Sequence, residues 1–168
     1  RSYSVTGVQT CALPIFIDQI YYADYSSILN VKNFPVVVKV GHSHAGFGKM
    51  LIHDQEELSD LRSVLALQSN YIIIEPFLDR VYDIRIQKIG SHYRAYKRIG
   101  LEGWKGNMGM ATLEEIPLDE SYKFWVDVCS DLFGGLDILA IDAIRTTEGK
   151  DIIIEMNDSM IGDRKSVV

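Results

Sequence analysis

The sequence is poor in positive charge, in long apolar runs and in cysteine, and these shortages exclude several classes of protein. No apolar run approaches the roughly 20 residues needed to span a bilayer, so we expect no transmembrane segment. Lys and Arg number 17 against 23 Asp and Glu, and the net charge of −6 disfavours nonspecific binding to nucleic acid. The chain also lacks internal repeats and low-complexity stretches.

The two ends of the sequence differ from the rest. Residues 5–15 look like the translation of a sequencing adapter, and residues 163–168 look like the opposite adapter. We therefore interpret residues 1–15 and 163–168 as non-native. With Cys11 set aside, Cys129 is the one remaining cysteine, so no intramolecular disulfide is expected. A lone cysteine in a helical pattern is typical of a small buried side chain in a reducing compartment.

What the sequence does contain is an apolar strand that runs into a glycine-rich loop between Lys39 and Lys49. Glycine tolerates positive φ and has no Cβ, so backbone amides in such a loop can approach an anion closely. The loop is therefore a candidate phosphate site, although a plain turn is the alternative. It is not a Walker A motif, because Ser43 and Met50 stand where that motif needs glycine and Ser or Thr. The glycines of the loop are Gly41, Gly46 and Gly48.

Near the C-terminus, residues 138–144 and 151–157 form two apolar runs joined by a polar turn, as in a hairpin. Asp142, Glu155 and Asn157 lie within these runs. A carboxylate in a strand built for burial is costly unless it is paired or binds a metal. Hard oxygen ligands of this kind suit Mg²⁺ held beside nucleotide phosphates. The alternative is that the acids lie on the solvated face of the hairpin.

Periodicity predicts an alternation of strands and helices along the chain. A helix is expected after Asp54, which can act as its N-cap with Glu57 at the capping-box position. A second helix over 121–133 should end at Gly134 and Gly135. The apolar stripe of the first helix consists of Leu58, Leu61, Val64 and Leu65, and that of the second of Tyr122, Trp125, Val126, Cys129 and Phe133. Further strands are predicted at 36–41, 49–53, 71–75, 81–89 and 93–97, with a loop over 100–109.

Together these features resemble the ATP-grasp superfamily and, more closely, the C domain of the synapsin family. The similarity covers residues 16–162. Its motifs lie at 34–39, 41–44, 48–49, 75–77, 82–90, 104–107, 125–127 and 133–138. The resemblance implies an α/β (α+β) fold of ATP-grasp type, with two lobes and the nucleotide between them. The preceding domain and the C-terminal end are missing, so the chain is interpreted as a fragment.

The implied organisation divides the chain into a connector and two lobes. Residues 16–33 would lead out of a missing preceding domain, residues 34–78 would form the N-terminal lobe with the glycine-rich lid and the hinge, and residues 79–162 would form the C-terminal lobe with the metal-binding hairpin.

The same resemblance implies a role for each candidate site residue. Lys39 would reach the α- and β-phosphates, the lid would cover the β- and γ-phosphates, and the hinge would contact adenine. Asp83 and Arg85 would contact ribose or phosphate, or else form an exposed ion pair. Trp104 and Lys105 would close over the nucleotide, or else anchor their loop. The implied nucleotide-binding residues are Lys39, Gly46, Gly48, Lys49, Glu75, Phe77, Asp83, Arg85, Trp104 and Lys105, and the metal ligands are Asp142, Glu155 and Asn157.

One position departs from the family pattern, which often has Glu where this chain has Asp142. The cation is therefore left as Mg²⁺ or Ca²⁺.

The resemblance implies a phosphoprotein that binds ATP, regulates vesicle clustering and neurotransmitter release, forms homo-oligomers, and contacts the synaptic-vesicle membrane and cytoskeletal proteins. It would be cytoplasmic and peripheral on vesicles. Turnover is left open, with a regulatory role favoured. The alternative is a carboxylate–amine ligase working through an acyl-phosphate, with Arg98 and Asn107 as acceptor-site groups.

Overall fold

The computed structural model describes residues 15–25, 31–43, 46–100, 103–105, 111–132 and 134–159. The chain divides into two compact units, with the division between residues 78 and 79. Unit 1 contains the described residues from 17 to 78, and unit 2 contains residues 15 and 16 with those from 79 onward.

Unit 1 is a four-stranded antiparallel sheet with one helix packed on it. Its strands lie in the order β1-β4-β2-β3. The elements are β1 (Ile20–Tyr22), β2 (Val36–Val40), β3 (Lys49–Ile52), α1 (Gln55–Leu65) and β4 (Ile72–Pro76). Strand residues alternate between the two faces of a sheet. The core therefore takes every second residue of β2 and β4 together with one side of α1, namely Val36, Val38, Ile72, Ile74, Leu58, Leu61 and Leu65.

Helix α1 begins where the sequence predicts. The Asp54 side chain accepts hydrogen bonds from the amides of Glu56 and Glu57, both at 2.9 Å, which satisfies two N–H groups of the first turn. The Glu57 carboxylate reaches back one residue further than a capping box requires, and accepts from the amide of His53 at 2.7 Å. The prediction that Val64 belongs to the apolar stripe is wrong, since this side chain is 60% exposed.

Unit 2 is a five-stranded antiparallel sheet in the order β7-β6-β5-β8-β9, again with one helix on one face. Its elements are β5 (Arg80–Ile89), β6 (His92–Gly100), β7 (Ala111–Ile116), α2 (Glu120–Asp131), β8 (Ile138–Thr146) and β9 (Asp151–Asn157). Trp125, Val126 and Cys129 of α2 are buried against the sheet, as predicted. Gly134 and Gly135 follow the helix with φ of 79° and 94°, which confirms the left-handed cap.

The sequence patterns miss two strands. The first is β1, a three-residue strand inside the segment predicted as a connector. The second is β7, whose sequence Ala-Thr-Leu-Glu-Glu-Ile lacks a regular alternation of apolar and polar residues. The predicted Phe133 packing and most of the predicted 100–109 loop fall outside the described residues.

In the described parts of the chain, no helix has the length and apolar character to cross a membrane.

A β-bulge in β9 decides which face of the unit 2 sheet carries the acids. Ala143 lies opposite Ile153, whereas Asp142 lies opposite Glu155, so Ile154 is an extra residue without its own partner position. Strict alternation from the buried Ile153 would turn Glu155 toward α2. The bulge instead places Glu155 on the same face as Asp142.

Candidate functional site

In unit 1, two predicted site residues meet on the sheet face opposite α1. Lys39 of β2 and Lys49 of β3 are directly opposite each other in the antiparallel ladder. Side chains at opposed positions lie on one face with Cβ atoms about 5 Å apart, and like charges placed in this way repel. We call this surface the lysine face and define it by Val37, Lys39, Lys49 and Glu75.

Glu75 of β4 provides a counter-charge on the lysine face. Its Oε1 lies 2.5 Å from Nζ of Lys39, and the side chains of Lys39 and Glu75 are only 12% and 4% exposed. The same Oε1 accepts a hydrogen bond of 2.7 Å from Nε2 of Gln19. The sequence analysis predicts only a main-chain contact with adenine for Glu75, and it does not predict the ion pair that the Glu75 side chain forms with Lys39. The available signal was an acid at the end of the apolar run 72–74 in a strand next to that of Lys39.

The glycine-rich loop returns tightly between β2 and β3. Gly41, Gly46 and Gly48 all have positive φ, at 55°, 83° and 68°. The carbonyl of Gly48 accepts from the amide of Val40 at 2.8 Å. A Cβ on Gly48 would lie 3.2 Å from the Val40 carbonyl oxygen, so a side chain would strain this turn. Residues 44 and 45 lie outside the described part of the chain, and phosphate contact by the loop stays a prediction.

The hinge after β4 is held to β2 by its backbone. The amide of Phe77 donates a 3.0 Å hydrogen bond to the carbonyl oxygen of Pro35. Because this N–H is used within the unit, it is not the donor for an adenine ring. The adenine contact of Glu75 and Phe77 stays a prediction, and it would use other main-chain groups of the hinge.

In unit 2, the predicted metal ligands lie on the sheet face opposite α2. Asp142 of β8 is opposite Glu155 of β9, and Asn157 lies two residues further along β9 on the same side. Nη1 of Arg85 donates to both oxygens of Asp142, at 2.8 and 2.9 Å, and Nδ2 of Asn157 donates to Oδ2 at 3.0 Å. We call this surface the carboxylate face, which consists of Asp83, Arg85, Asp142, Glu155 and Asn157.

The donor set of the carboxylate face fits a hard divalent cation. Two opposed carboxylates and one amide offer oxygen ligands, as Mg²⁺ and Ca²⁺ require. The Asn157 amide nitrogen faces Asp142, and the amide oxygen points away from that carboxylate. The role of this oxygen as a metal ligand stays a prediction. Any cation here must share Asp142 with the guanidinium of Arg85. Within the described residues, no group of three or more His, Cys, Asp or Glu side chains is placed to hold a metal.

Asp83 is a largely buried carboxylate close to arginine side chains. Its Oδ1 lies 3.0 Å from Nη1 of Arg80, at an angle that does not make a hydrogen bond. Burial raises the pKa of Asp83, and the nearby Asp142 raises it further, while Arg80 and Arg98 act to lower it. Arg98 lies directly opposite Asp83 on β6. The structure does not contain the exposed ion pair considered as the alternative for Asp83 and Arg85, because both side chains are largely buried.

Trp104 and Lys105 are both half-buried, and Nζ of Lys105 lies 5.2 Å from the centroid of the Trp104 ring. A cation over an indole face is attracted by the ring quadrupole, which holds the two side chains together. Asn107, the other acceptor-site group of the ligase alternative, lies outside the described residues.

Comparison with solved structures identifies the fold. The fold matches a RimK domain ATP-grasp protein from Sphaerobacter thermophilus with a TM-score of 0.65 and 14% identity, over 90% of this chain and 55% of that chain. It also matches the D-alanine–D-alanine ligase of Bacillus anthracis with a TM-score of 0.64 and 20% identity, over 86% and 51% of the two chains. The chain therefore has the ATP-grasp fold, as predicted.

The family follows from sequence comparison. Residues 4–166 match the family described as the synapsin ATP-binding domain. Synapsin of Drosophila melanogaster is 36% identical over 155 residues, which cover 88% of this chain. The chain belongs to the synapsin ATP-binding domain family, and the predicted resemblance is confirmed. It spans only 15% of the length of the Drosophila relative. The match extends beyond residues 16–162, and the interpretation of the ends as non-native stays a prediction.

Proposed function

We propose that this chain binds ATP, with phosphate contacts from the lysine face and a divalent cation held by the carboxylate face. The observation that carries the proposal is the opposition of Lys39 and Lys49 in the β2–β3 ladder. Two opposed ammonium groups, one of them paired with the Glu75 carboxylate of β4, offer charge-assisted contacts to the oxygens of a polyphosphate. Membership of a family described by ATP binding supports the same ligand.

The cation would be held by Asp142, Glu155 and Asn157. When bound, it would supply charge neutralisation and fix the positions of the phosphate oxygens. Arg85 would hold the orientation of Asp142 through its two contacts of 2.8 and 2.9 Å. Trp104 and Lys105, with Gly46 and Gly48, would cover the nucleotide, and Asp83 would contact the ribose or orient Arg98.

At the level of the whole protein, the proposed role is regulation of vesicle clustering and neurotransmitter release. ATP and Mg²⁺ or Ca²⁺ would act as regulatory ligands of a cytoplasmic homo-oligomeric phosphoprotein, peripheral on synaptic vesicles and in contact with cytoskeletal proteins. The support is the 36% identity to the Drosophila synapsin. No product need be released for this role, because differential binding of a ligand to two states is enough to shift a conformational equilibrium.

A second candidate is a carboxylate–amine ligase that forms an acyl-phosphate. The observation favouring it is that Arg98 stands opposite the largely buried Asp83, on the same sheet face as Asp142. A cationic group fixed in such a position can stabilise charge that develops on a transferred phosphoryl group.

Two measurements separate these candidates. We expect sedimentation of the chain with phosphatidylcholine vesicles containing phosphatidylserine, and a change in vesicle clustering when ATP and Mg²⁺ are added. Binding that is absent with and without nucleotide would contradict the vesicle role. In parallel, ADP release is measured with ATP, Mg²⁺ and mixtures of carboxylic acids and amines. ADP release that requires both co-substrates would establish the ligase instead.

A further inference from the structure

We infer that Gln19, in the segment before β1, is a positioning residue for the phosphate-binding Lys39 and acts through Glu75. This inference rests on the proposed binding of ATP. It concerns a hydrogen-bonded series of three side chains, Gln19, Glu75 and Lys39, which we call the connector series. Its members come from three different parts of unit 1.

The contacts of the connector series meet at a single atom. Oε1 of Glu75 accepts from Nε2 of Gln19 at 2.7 Å and contacts Nζ of Lys39 at 2.5 Å. Sheet register explains the meeting. Ile20 of β1 is opposite Ile74 of β4, so continuing that register by one residue brings Gln19 beside Glu75.

Burial makes the orientation of Glu75 decisive. The Glu75 side chain is only 4% exposed, so its orientation depends on its protein partners, of which Gln19 is the exposed one. A buried carboxylate that keeps only one of its two partners has more freedom to rotate, and so does the ammonium paired with it. Lys39 is a long side chain with several rotatable bonds, and a ligand must meet the entropic cost of ordering it unless the protein has already done so.

The opposition of Lys39 and Lys49 adds to this requirement. Without a fixed partner on β4, electrostatic repulsion from Lys49 would drive the Lys39 ammonium away from the position at which both can contact one polyphosphate. Gln19 therefore links the conformation of the segment before β1 to the phosphate site. Any partner or modification that pulls this segment out of the sheet would weaken nucleotide binding without touching the nucleotide.

Calorimetry with Gln19→Ala tests the inference, because this change removes no charge. We expect the Kd for ATP to rise about fivefold, as for loss of one typical intramolecular hydrogen bond. The Kd for adenosine, which has no phosphate for Lys39, should change less than about twofold on the same reasoning. Gln55→Ala is the matched control, since Gln55 is exposed on the first turn of α1 in the same unit.

A double-mutant cycle distinguishes the connector series from a general effect on folding. Gln19→Ala should have no further effect on ATP binding in a Glu75→Ala background, because Gln19 acts only through that carboxylate. Glu75→Met, which keeps the side-chain length but has no oxygen to accept from Gln19, serves in the same way if the alanine variant does not fold. Equal losses for ATP and adenosine, additive effects in the cycle, or ATP affinity unchanged in Gln19→Ala would each overturn the inference.

The outcome also separates failure of this inference from failure of the proposed function. If the unaltered chain binds no ATP, the proposed function itself is wrong. If the chain binds ATP and Lys39→Ala weakens binding while Gln19→Ala does not, only the role of Gln19 is wrong.

Discussion

The two units are built on one plan, an antiparallel sheet with a single helix on one face, yet their opposite faces carry different chemistry. The lysine face of unit 1 has two opposed ammonium groups and one buried carboxylate, on strands that alternate regularly. On the carboxylate face of unit 2, Asp83 is paired with Arg80, and Asp142 contacts Arg85 and Asn157. Under the proposed function, an anion at unit 1 would meet Lys39 already paired with Glu75, and a cation at unit 2 would share Asp142 with Arg85.

The two faces also differ in how the backbone directs the charged side chains to them. In unit 1 the helix packs on alternate residues of β2, which leaves Lys39 on the other face without any irregularity. In unit 2 the face of Glu155 depends on one extra residue, Ile154. Bulges of this kind redirect side chains at the cost of a local break in the ladder.

The largest expected effect concerns the lysine face. We predict that Lys39→Ala raises the Kd for ATP about a hundredfold, because a charge-assisted contact to phosphate is lost and Glu75 is left buried without its cation. Lys32→Ala, a change at an exposed lysine of the same unit, should leave the Kd unchanged. Equal Kd values for Lys39→Ala and the unaltered chain, measured by calorimetry, would remove the distinction between the two faces.

A smaller effect is predicted for the carboxylate face. Glu155→Gln keeps the side-chain size but removes a negative charge, so the Kd for ATP in Mg²⁺ should rise about tenfold. In the presence of chelator, the variant and the unaltered chain should bind alike. Glu148→Gln is the matched control, at an exposed acid of the β8–β9 turn. A loss of the same size with and without metal would contradict the assignment of Glu155 as a ligand.

The helix caps provide a comparison of stability between the units. Each helix has an aspartate as its N-cap, Asp54 for α1 and Asp119 for α2. Asp54→Ala and Asp119→Ala should therefore each lower the free energy of unfolding by about 1 kcal/mol. A hydrogen bond from Ser121 is the main cause of the lowered pKa of Asp119. The contribution of ionised Asp119 to the free energy of unfolding is therefore fully present above the pKa that Asp119 has in the unfolded chain. This contribution is lost as the pH falls through the lower pKa that Asp119 has in the folded chain. Urea titrations at neutral and acidic pH, with Asp119→Asn as the conservative control, measure this.

The smallest expected effect is a pH dependence from Asp83. Burial raises its pKa, so the folded chain retains this proton to higher pH than the unfolded chain. The free energy of unfolding should therefore fall as pH rises through the two pKa values of this group. Asp83→Asn should reduce this fall, whereas Asp79→Asn, at an exposed position, should not. Identical pH profiles for Asp83→Asn and the unaltered chain would show that burial does not govern this carboxyl.

Much of the fold follows from the sequence because its patterns are local. The cap at Asp54, the glycine stop after α2 and the buried runs of β2, β4 and β8 are confirmed. The partners of the site residues depend on contacts between distant segments. Nothing near Glu75 in sequence indicates Gln19, 56 residues away, and nothing near Asp142 indicates Arg85, 57 residues away. The bulge at Ile154 also leaves no mark in a uniform apolar run.

Calorimetry of ATP binding to the unaltered chain, in Mg²⁺, in Ca²⁺ and in chelator, tests the central claim most directly. The account predicts saturable binding that is strengthened by at least one of the two cations. No detectable binding under any of the three conditions would contradict it, and would leave the lysine face as an ion-paired surface without a nucleotide.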